Sequence, residues 1–277
     1  MSLEDDLAAA AELIRQADAL VIGAGAGMGV DSGLPDFRGK DGFWRAYPAL
    51  GRLGLDFQRV ASPTTFDDDP GLAWGFYGHR LQLYRACTPH AGFGILKRWG
   101  ERMPQGYSVY TSNVDGQFQK ADFAPDAIHE CHGSLHHLQC VRGCGAGIWP
   151  ADDFLPQVDA EQCRLLNALP TCPGCGALAR PNVLMFGDWG WLEERQLAQQ
   201  AQQDAWLSRV ERPVVVELGA GTQIPSVRYF SQRVIHEHGG RMVRINPRES
   251  TVGDRRDVGL PMGALEGLSR MAELLGN

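Results

Sequence analysis

The sequence predicts an α/β protein in which a parallel sheet ends in ligand-binding turns and a smaller, metal-stapled part is inserted. Three observations predict it. Two short apolar runs, Leu20-Val21-Ile22 and Pro213 to Leu218, break into glycine turns, as buried parallel strands do on leaving a sheet. Segments of helical spacing follow or precede these runs, giving strand–turn–helix units. Two close cysteine pairs, Cys140/Cys144 and Cys172/Cys175, lie between the runs with Gly143, Pro173, Gly174 and Gly176 to shape tight knuckles.

Length and composition bound the problem. A chain of 277 residues accommodates one large domain with a smaller insertion. With 26 basic and 33 acidic residues the net charge is −7, which disfavours a nucleic-acid partner, and no local basic patch offsets it. No apolar run is long enough to span a bilayer, and the N-terminus is acidic where a signal peptide is basic. Seven cysteines, an odd number, fit a reducing cytoplasm better than a disulfide scaffold.

In chain order, Leu7, Ala8, Ala11, Leu13 and Ile14 predict a helix over 3–16, with Glu4, Asp5 and Asp6 at its positive end. The strand at 19–23 follows. Gly25, Ala26 and Gly27 then offer backbone N–H groups to a phosphate, although a dinucleotide fingerprint would place its third glycine where Val30 stands. Beyond the turn, Asp36 suits a sugar hydroxyl or an amide, and the Arg38 fork suits a pyrophosphate. The aromatic stretch after Gly39 reads either as a lid or as a packed helical insert. A helix over 71–88 places Tyr77 and Arg80 on one face, and a second over 88–99 has His90 at its start. A strand over 107–110 ends in the polar run Thr111-Ser112-Asn113-Val114-Asp115-Gly116, at the sheet edge where open α/β sheets bind ligands.

Four histidines follow: His129, His132, His136 and His137. Cys131 and His132 are adjacent, so their side chains do not face each other as a nucleophile and its base must. The four paired cysteines read as a closed structural Zn²⁺ site, the competing set borrowing His136 or His137. Val183 to Phe186 read as a strand edge able to take an extended peptide. A polar helix over 190–210 precedes the strand Pro213 to Leu218, whose glycine turn carries Gly221 and Thr222. A helix over 226–238 stops at Gly239-Gly240, a strand over 242–245 runs into Asn246-Pro247, and a helix over 262–275 closes the chain.

Four of these blocks, 21–39, 111–116, 130–134 and 219–246, resemble the sirtuin family in residues and order. Gly25-Ala26-Gly27, Ser32-Gly33 and Pro35-Asp36-Phe37-Arg38-Gly39 match its first motif, with Gly29 for a serine and Asp31 for a glutamate. Asn113-Val114-Asp115-Gly116 is similar to Asn-Ile-Asp-Gly, Ser112 replacing a glutamine. His132-Gly133-Ser134 is similar to His-Gly-Ser, and Gly221-Thr222-Gln223 to Gly-Thr-Ser. Arg180 to Asp188 resembles Arg-Pro-x-Val-Val-x-Phe-Gly-Glu.

The resemblance implies a Rossmann-like parallel sheet with helices on both faces. The large domain would comprise 1–39, 101–136 and 180–277, and the small domain the helical insert 40–100 with the zinc module 137–179. It implies an NAD-dependent protein lysine deacylase that acts on acyl-lysine proteins or peptides. The acyl oxygen expels nicotinamide from the ribose, His132 then acts as general base, and the acyl group ends on ADP-ribose. His132, Asn113 and Asp115 would be catalytic. The cofactor would be held by Gly25, Ala26, Gly27, Asp36, Phe37, Arg38, Ser112, Asn113, Asp115, Gly221, Thr222 and Asn246. Val183, Phe186 and Gly187 would meet the peptide. The Tyr77/Arg80 pair resembles the branch that removes succinyl and malonyl groups. Two rivals share the site: an ADP-ribosyltransferase or NAD glycohydrolase, and a non-catalytic NAD sensor.

Overall fold

The computed structural model describes residues 2–36 and 39–276, with backbone alone at 39–42. Phe37 and Arg38, both expected at the cofactor, lie outside the described residues. Helix α1 (Leu3–Gln16) is opened by Ser2 and Asp5, which cap each other reciprocally, and strand β1 (Ala19–Ala24) follows. Four short helices come next: α2 (Gly39–Ala46), α3 (Pro48–Arg52), α4 (Phe57–Val60) and α5 (Pro63–Asp68). Two longer ones, α6 (Pro70–Ala86) and α7 (Ala91–Arg102), lead to β2 (Tyr107–Thr111). The aromatic stretch is therefore a helical insert. His90 caps α7, its Nδ1 accepting from the Gly92 amide at 3.0 Å.

The short helix α8 (Gln117–Lys120) precedes β3 (Ile128–Glu130) and β4 (Gly133–Cys140). Strands β5 (Ile148–Pro150), β6 (Val158–Asp159), β7 (Arg164–Leu165) and β8 (Ala179–Val183) complete the small-strand region. The chain ends in α9 (Glu194–Leu207), β9 (Pro213–Leu218), α10 (Ser226–His238), β10 (Arg241–Ile245), β11 (Val258–Leu260) and α11 (Ala264–Leu275). Strand β8 ends at Val183, so residues 184–186, expected in a strand, lie beyond it. No described helix is long and apolar enough to cross a membrane.

The main sheet has six parallel strands in the order β11-β10-β9-β1-β2-β3. Read from β3, this is the 3-2-1-4-5-6 order of a Rossmann-like sheet, and the direction of winding reverses between β1 and β9. Alternation along β1 explains the layers. Leu20 and Ile22 pack with Leu7, Ile14, Phe93, Leu96 and Met271 from α1, α7 and α11. Val21 faces the opposite side, among Leu207, Phe230 and Val234 from α9 and α10. The sheet thus carries helices on both faces.

A separate cluster joins the insert to the small strands. Phe43, Leu50, Phe66, Trp74, Phe76 and Tyr77 pack with Leu135, Leu138, Ala151, Ala179 and Val183. Burying an aromatic side chain of this kind contributes roughly 1.5–3 kcal/mol. The Trp74 indole also donates to the Ala179 carbonyl at 2.9 Å.

At the far end of β4 the four paired cysteines converge, with all four sulfurs within 4.8 Å of one another. Cys140 and Cys175 are 3.7 Å apart and Cys144 and Cys172 are 3.4 Å apart. Tetrahedral ligation at the usual Zn–S length of about 2.3 Å would separate sulfurs by about 3.8 Å, so the geometry suits a structural zinc ion. His136 is committed elsewhere, its Nε2 lying 3.0 Å from the Asp115 carbonyl. Elemental analysis is expected to find one zinc per chain, and chelation is expected to lower the thermal midpoint by unfolding this module first. Zinc-free protein with an unchanged midpoint would refute the Cys₄ assignment.

Candidate active site

A cavity of about 620 Å³ opens at the carboxyl ends of β1, β2 and β9, beside the point where the winding reverses. That volume lies in the range of small-molecule and cofactor sites. Its wall includes Gly25, Ala26, Asp36, Ser112, Asn113, Asp115, His132, Gly221 and Thr222 from the sequence motifs. Tyr77, Arg80, Val183 and Phe186 also line it.

Close backbone packing makes the floor. Gly219 has φ +58°, and a side chain there would place its Cβ 2.3 Å from the Gly27 Cα. The Gly27 amide donates to the Gly219 carbonyl at 3.1 Å. Gly27 therefore joins two turns and does not itself line the cavity. Asn113 extends the floor toward β2: its side-chain amide donates to the Gly25 carbonyl at 3.0 Å, and its backbone amide donates to the Thr111 hydroxyl at 3.0 Å.

His132 stands between β3 and β4. Gly133, with φ +76°, lets the chain turn there; a Cβ on it would lie 2.1 Å from the Asn182 carbonyl. The His132 carbonyl accepts from the Leu184 amide at 3.0 Å, and its Nε2 lies 3.1 Å from the Ser226 hydroxyl. Burial pushes the imidazole pKa down, against a hydrogen bond to the Ser112 backbone that favours the charged form. The ring is neutral at neutral pH, as a general base must be.

Asp115 is the most perturbed carboxyl in the wall. Burial pushes its pKa up from 3.8 to about 6, against the hydrogen bond it accepts from the Gln117 amide.

The apolar end of the cavity is built on α6. The Arg80 guanidinium sits 5.2 Å from the Phe76 ring, 5.9 Å from Tyr77 and 5.4 Å from Tyr84. Its Nε and Nη2 donate to the Tyr84 hydroxyl at 2.9 and 2.7 Å. Tyr84 also lines the cavity, as do Phe57, Arg248 and Glu249, none of which the motifs indicated. Tyr84 lies seven residues, about two helical turns, beyond Tyr77, which puts both on one side of α6.

Two further expected contacts fall elsewhere. Asn246 does not line the cavity: its amide donates to the Ala220 carbonyl at 3.0 Å, and its Oδ1 accepts from the Arg248 and Glu249 amides at 3.0 Å each. It shapes the turn that brings Arg248 and Glu249 into the wall. Gly187 also lies outside the wall, in a turn fixed by the buried Arg180–Asp188 ion pair at 2.8 Å. Val183 and Phe186 do line it, but the free strand edge expected over 183–186 is partly occupied. The Leu184 amide donates to His132, and the Phe186 amide donates to the Ala61 carbonyl at 2.9 Å.

A carboxyl whose folded pKa is raised stabilises the fold below its unfolded pKa and loses that contribution as pH climbs through the folded value. For Asp115 the window runs from 3.8 to about 6. The interval corresponds to about 3 kcal/mol. Asp115→Asn is therefore expected to unfold at higher denaturant concentration than wild type at pH 8, with the difference gone below pH 4. Equal midpoints at pH 8 would show that Asp115 is not held against its solvation.

Comparison with known proteins points the same way as this geometry. The Sir2 family model matches residues 25–208. An NAD-dependent protein deacylase of Aquifex aeolicus is 30% identical over 252 residues, covering 91% of this chain and 92% of that protein. NAD-dependent protein deacylase 1 of Pseudomonas aeruginosa is 32% identical over 243 residues, covering 87% of each. Among solved structures, a mutant Sir2 homologue in complex with 2'-O-acetyl ADP ribose superimposes with a TM-score of 0.70. It is 26% identical, and the match covers 96% of this chain and 95% of that one. With the switch-point cavity, the glycine floor and matches of this extent in agreement, the chain belongs to the Sir2 family.

Proposed function

We propose that this chain is an NAD-dependent protein lysine deacylase acting on acyl-lysine proteins or peptides. The observation that carries the reading is the convergence of His132 and Asn113 on one cavity beside the Gly25 and Gly221 turns. The relatives named above support it, as does the acyl-ADP-ribose in a structural neighbour. NAD supplies an ADP-ribosyl acceptor for the acyl group, with nicotinamide as the leaving group.

The residues divide the work by chemistry. Gly25, Ala26, Gly221 and Thr222 offer close backbone approach and a hydroxyl for a diphosphate and ribose. Asp36, Ser112, Asn113 and Asp115 hold the nicotinamide end, where Asn113 can orient an amide or a sugar hydroxyl. His132, neutral and lining the cavity, accepts a hydroxyl proton. Val183 and Phe186 border the acyl-lysine. The two-part organisation, 1–39, 101–136 and 180–277 against 40–100 and 137–179, places the cavity between the parallel sheet and the zinc-stapled body. A cytoplasmic setting is consistent with seven cysteines that form no disulfide among the described residues.

The acyl group is an acidic one on this reading. Arg80 is buried, caged by three rings at the cavity wall, and a guanidinium there favours a distal carboxylate over an apolar acyl end. Tyr77, stacked on Phe66 at 5.7 Å, forms part of the same wall.

Turnover of acetyl-, malonyl-, succinyl- and long-chain-lysine peptides, followed by mass spectrometry, tests the proposal. O-acyl-ADP-ribose is the expected product; ADP-ribosylated protein or free ADP-ribose alone would overturn it. His132→Ala is expected to lower product formation by at least about 100-fold while the thermal midpoint stays within a few degrees. Arg80→Met is expected to lower kcat/KM for the succinyl peptide at least about tenfold, with the acetyl peptide little changed. Equal losses on both peptides would remove the acidic-acyl assignment and leave the deacylase standing.

A further inference from the structure

Arg80 and Tyr84 are both buried in the wall of the cavity, one helical turn apart on α6. The Arg80 Nε and Nη2 donate to the Tyr84 hydroxyl at 2.9 and 2.7 Å. Those two groups form one of the edges through which a guanidinium grips a carboxylate bidentately. Here a phenol oxygen fills that edge. An anion that approaches Arg80 on this side meets the phenol together with the cation. Tyr77 stands farther off, its ring 5.9 Å from the guanidinium carbon.

The state of the phenol follows from its surroundings. Burial pushes its pKa up, against the pull of the Arg80 charge, so the hydroxyl keeps its proton at neutral pH. Two N–H groups converging on the oxygen turn the O–H away from the cation. Among the described residues that proton has no acceptor, since the hydrogen bonds at the Tyr84 hydroxyl are the two it receives from Arg80. A phenol polarised by two such bonds is also a stronger donor than one in water.

We propose that Tyr84 is a specificity-determining residue of the acyl site, its phenol O–H donating to the distal carboxylate of an acidic acyl group while its oxygen holds the Arg80 guanidinium. The carboxylate then meets a neutral donor and a cation that are fixed to each other. An acetyl group has no carboxylate to offer either of them. This rests on the acidic-acyl reading above and adds a second residue to it. The contact lies away from the reacting carbon, so it contributes to binding and leaves the chemical step alone.

Tyr84→Phe tests this, because it removes the hydroxyl and keeps the ring beside Arg80; its thermal midpoint is expected to stay within a few degrees of wild type. The ratio of kcat/KM for a succinyl-lysine peptide to that for the acetyl-lysine peptide is expected to fall about tenfold, with the loss carried by KM, the effect of one lost hydrogen bond to a charged group. In an Arg80→Met background the same substitution is expected to lower the ratio a further twofold or more. No further loss there would mean that Tyr84 only holds Arg80, and the direct contact would be overturned. A ratio unmoved by Tyr84→Phe but lowered by Arg80→Met overturns the proposal and leaves the acidic-acyl reading standing; a ratio moved by neither overturns both. Calorimetric titration of the two peptides into the NAD-free protein reads the contact without turnover, and the same tenfold selective loss is expected. Absence of O-acyl-ADP-ribose in wild type would overturn the deacylase reading instead, and the titration would still decide the role of Tyr84.

Discussion

Gly27 and Gly219 bring two strand-to-helix turns into contact with no side chain between them, and the active-site cavity depends on that approach. The Gly27 amide bonds to the Gly219 carbonyl at 3.1 Å, and the Gly25 amide bonds to the Leu218 carbonyl at 2.9 Å. Two side-chain amides extend the seam in both directions. Asn113 ties the β2 turn to Gly25, and Asn246 ties the β10 turn to Ala220. Four successive carboxyl-end turns of the parallel sheet are thereby locked into one floor. Any side chain at the central glycines would force the strands apart and open the seam from which the other contacts extend.

The opposite wall has a different origin. His132 is delivered where β3, the last strand of the parallel sheet, gives way to β4 of the antiparallel sheet β5-β4-β8. Its carbonyl anchors Leu184, so the segment after β8 is held by the same residue whose ring faces the cavity. Tyr77 and Tyr84 reach the cavity wall from α6, which is packed on β8 through Trp74. One cavity therefore joins two bodies with separate cores, and the residue assigned as base stands at their junction. A further contact comes from α10, whose Ser226 hydroxyl lies 3.1 Å from its Nε2.

The legible parts of the sequence were those with local physical signatures. The strands β1 and β9 announced themselves as apolar runs ending in glycine, and α10 as a periodic segment stopped at Gly239, which has φ +65°. Strands β3 and β11, with three residues each, are too short to show a period. The insert after Gly39 forms helices of four to eight residues, which tertiary packing around Phe43, Phe66 and Trp74 holds together and propensity does not. Within the site, Asn113, Asp115 and His132 stood in contiguous motifs. Ser226 and Glu249 come to the cavity or its base by tertiary placement, and nothing in their neighbourhood along the chain marked them. Asn246 is a cofactor contact only by resemblance to the family; an asparagine at a strand end can serve either a ligand or its own turn, and its side chain here bonds within the turn.

Buried charge separates scaffold from site. Glu217, buried in β9, is met by Arg244 at 2.6 Å and by Arg228 at 3.6 Å. Asp188 is buried against Arg180, and Glu130 is held by Arg195. Each of these carboxylates has a cation in contact, so its desolvation is offset within the fold. Asp115 differs. Its described hydrogen bond comes from the neutral Gln117 amide, and the nearby Glu130 charge opposes its ionisation more than the Arg80 charge favours it. The side-chain oxygen of Gln117 is itself buried without a hydrogen-bond partner among the described residues. A fold that meets Glu217, Asp188 and Glu130 with cations, and Asp18 with two backbone amides, has the means to satisfy Asp115 as well. Leaving it in the wall of a cavity that His132 also lines keeps an acceptor there whose demand a ligand can meet, and it locates the stability given up for function at the cavity itself.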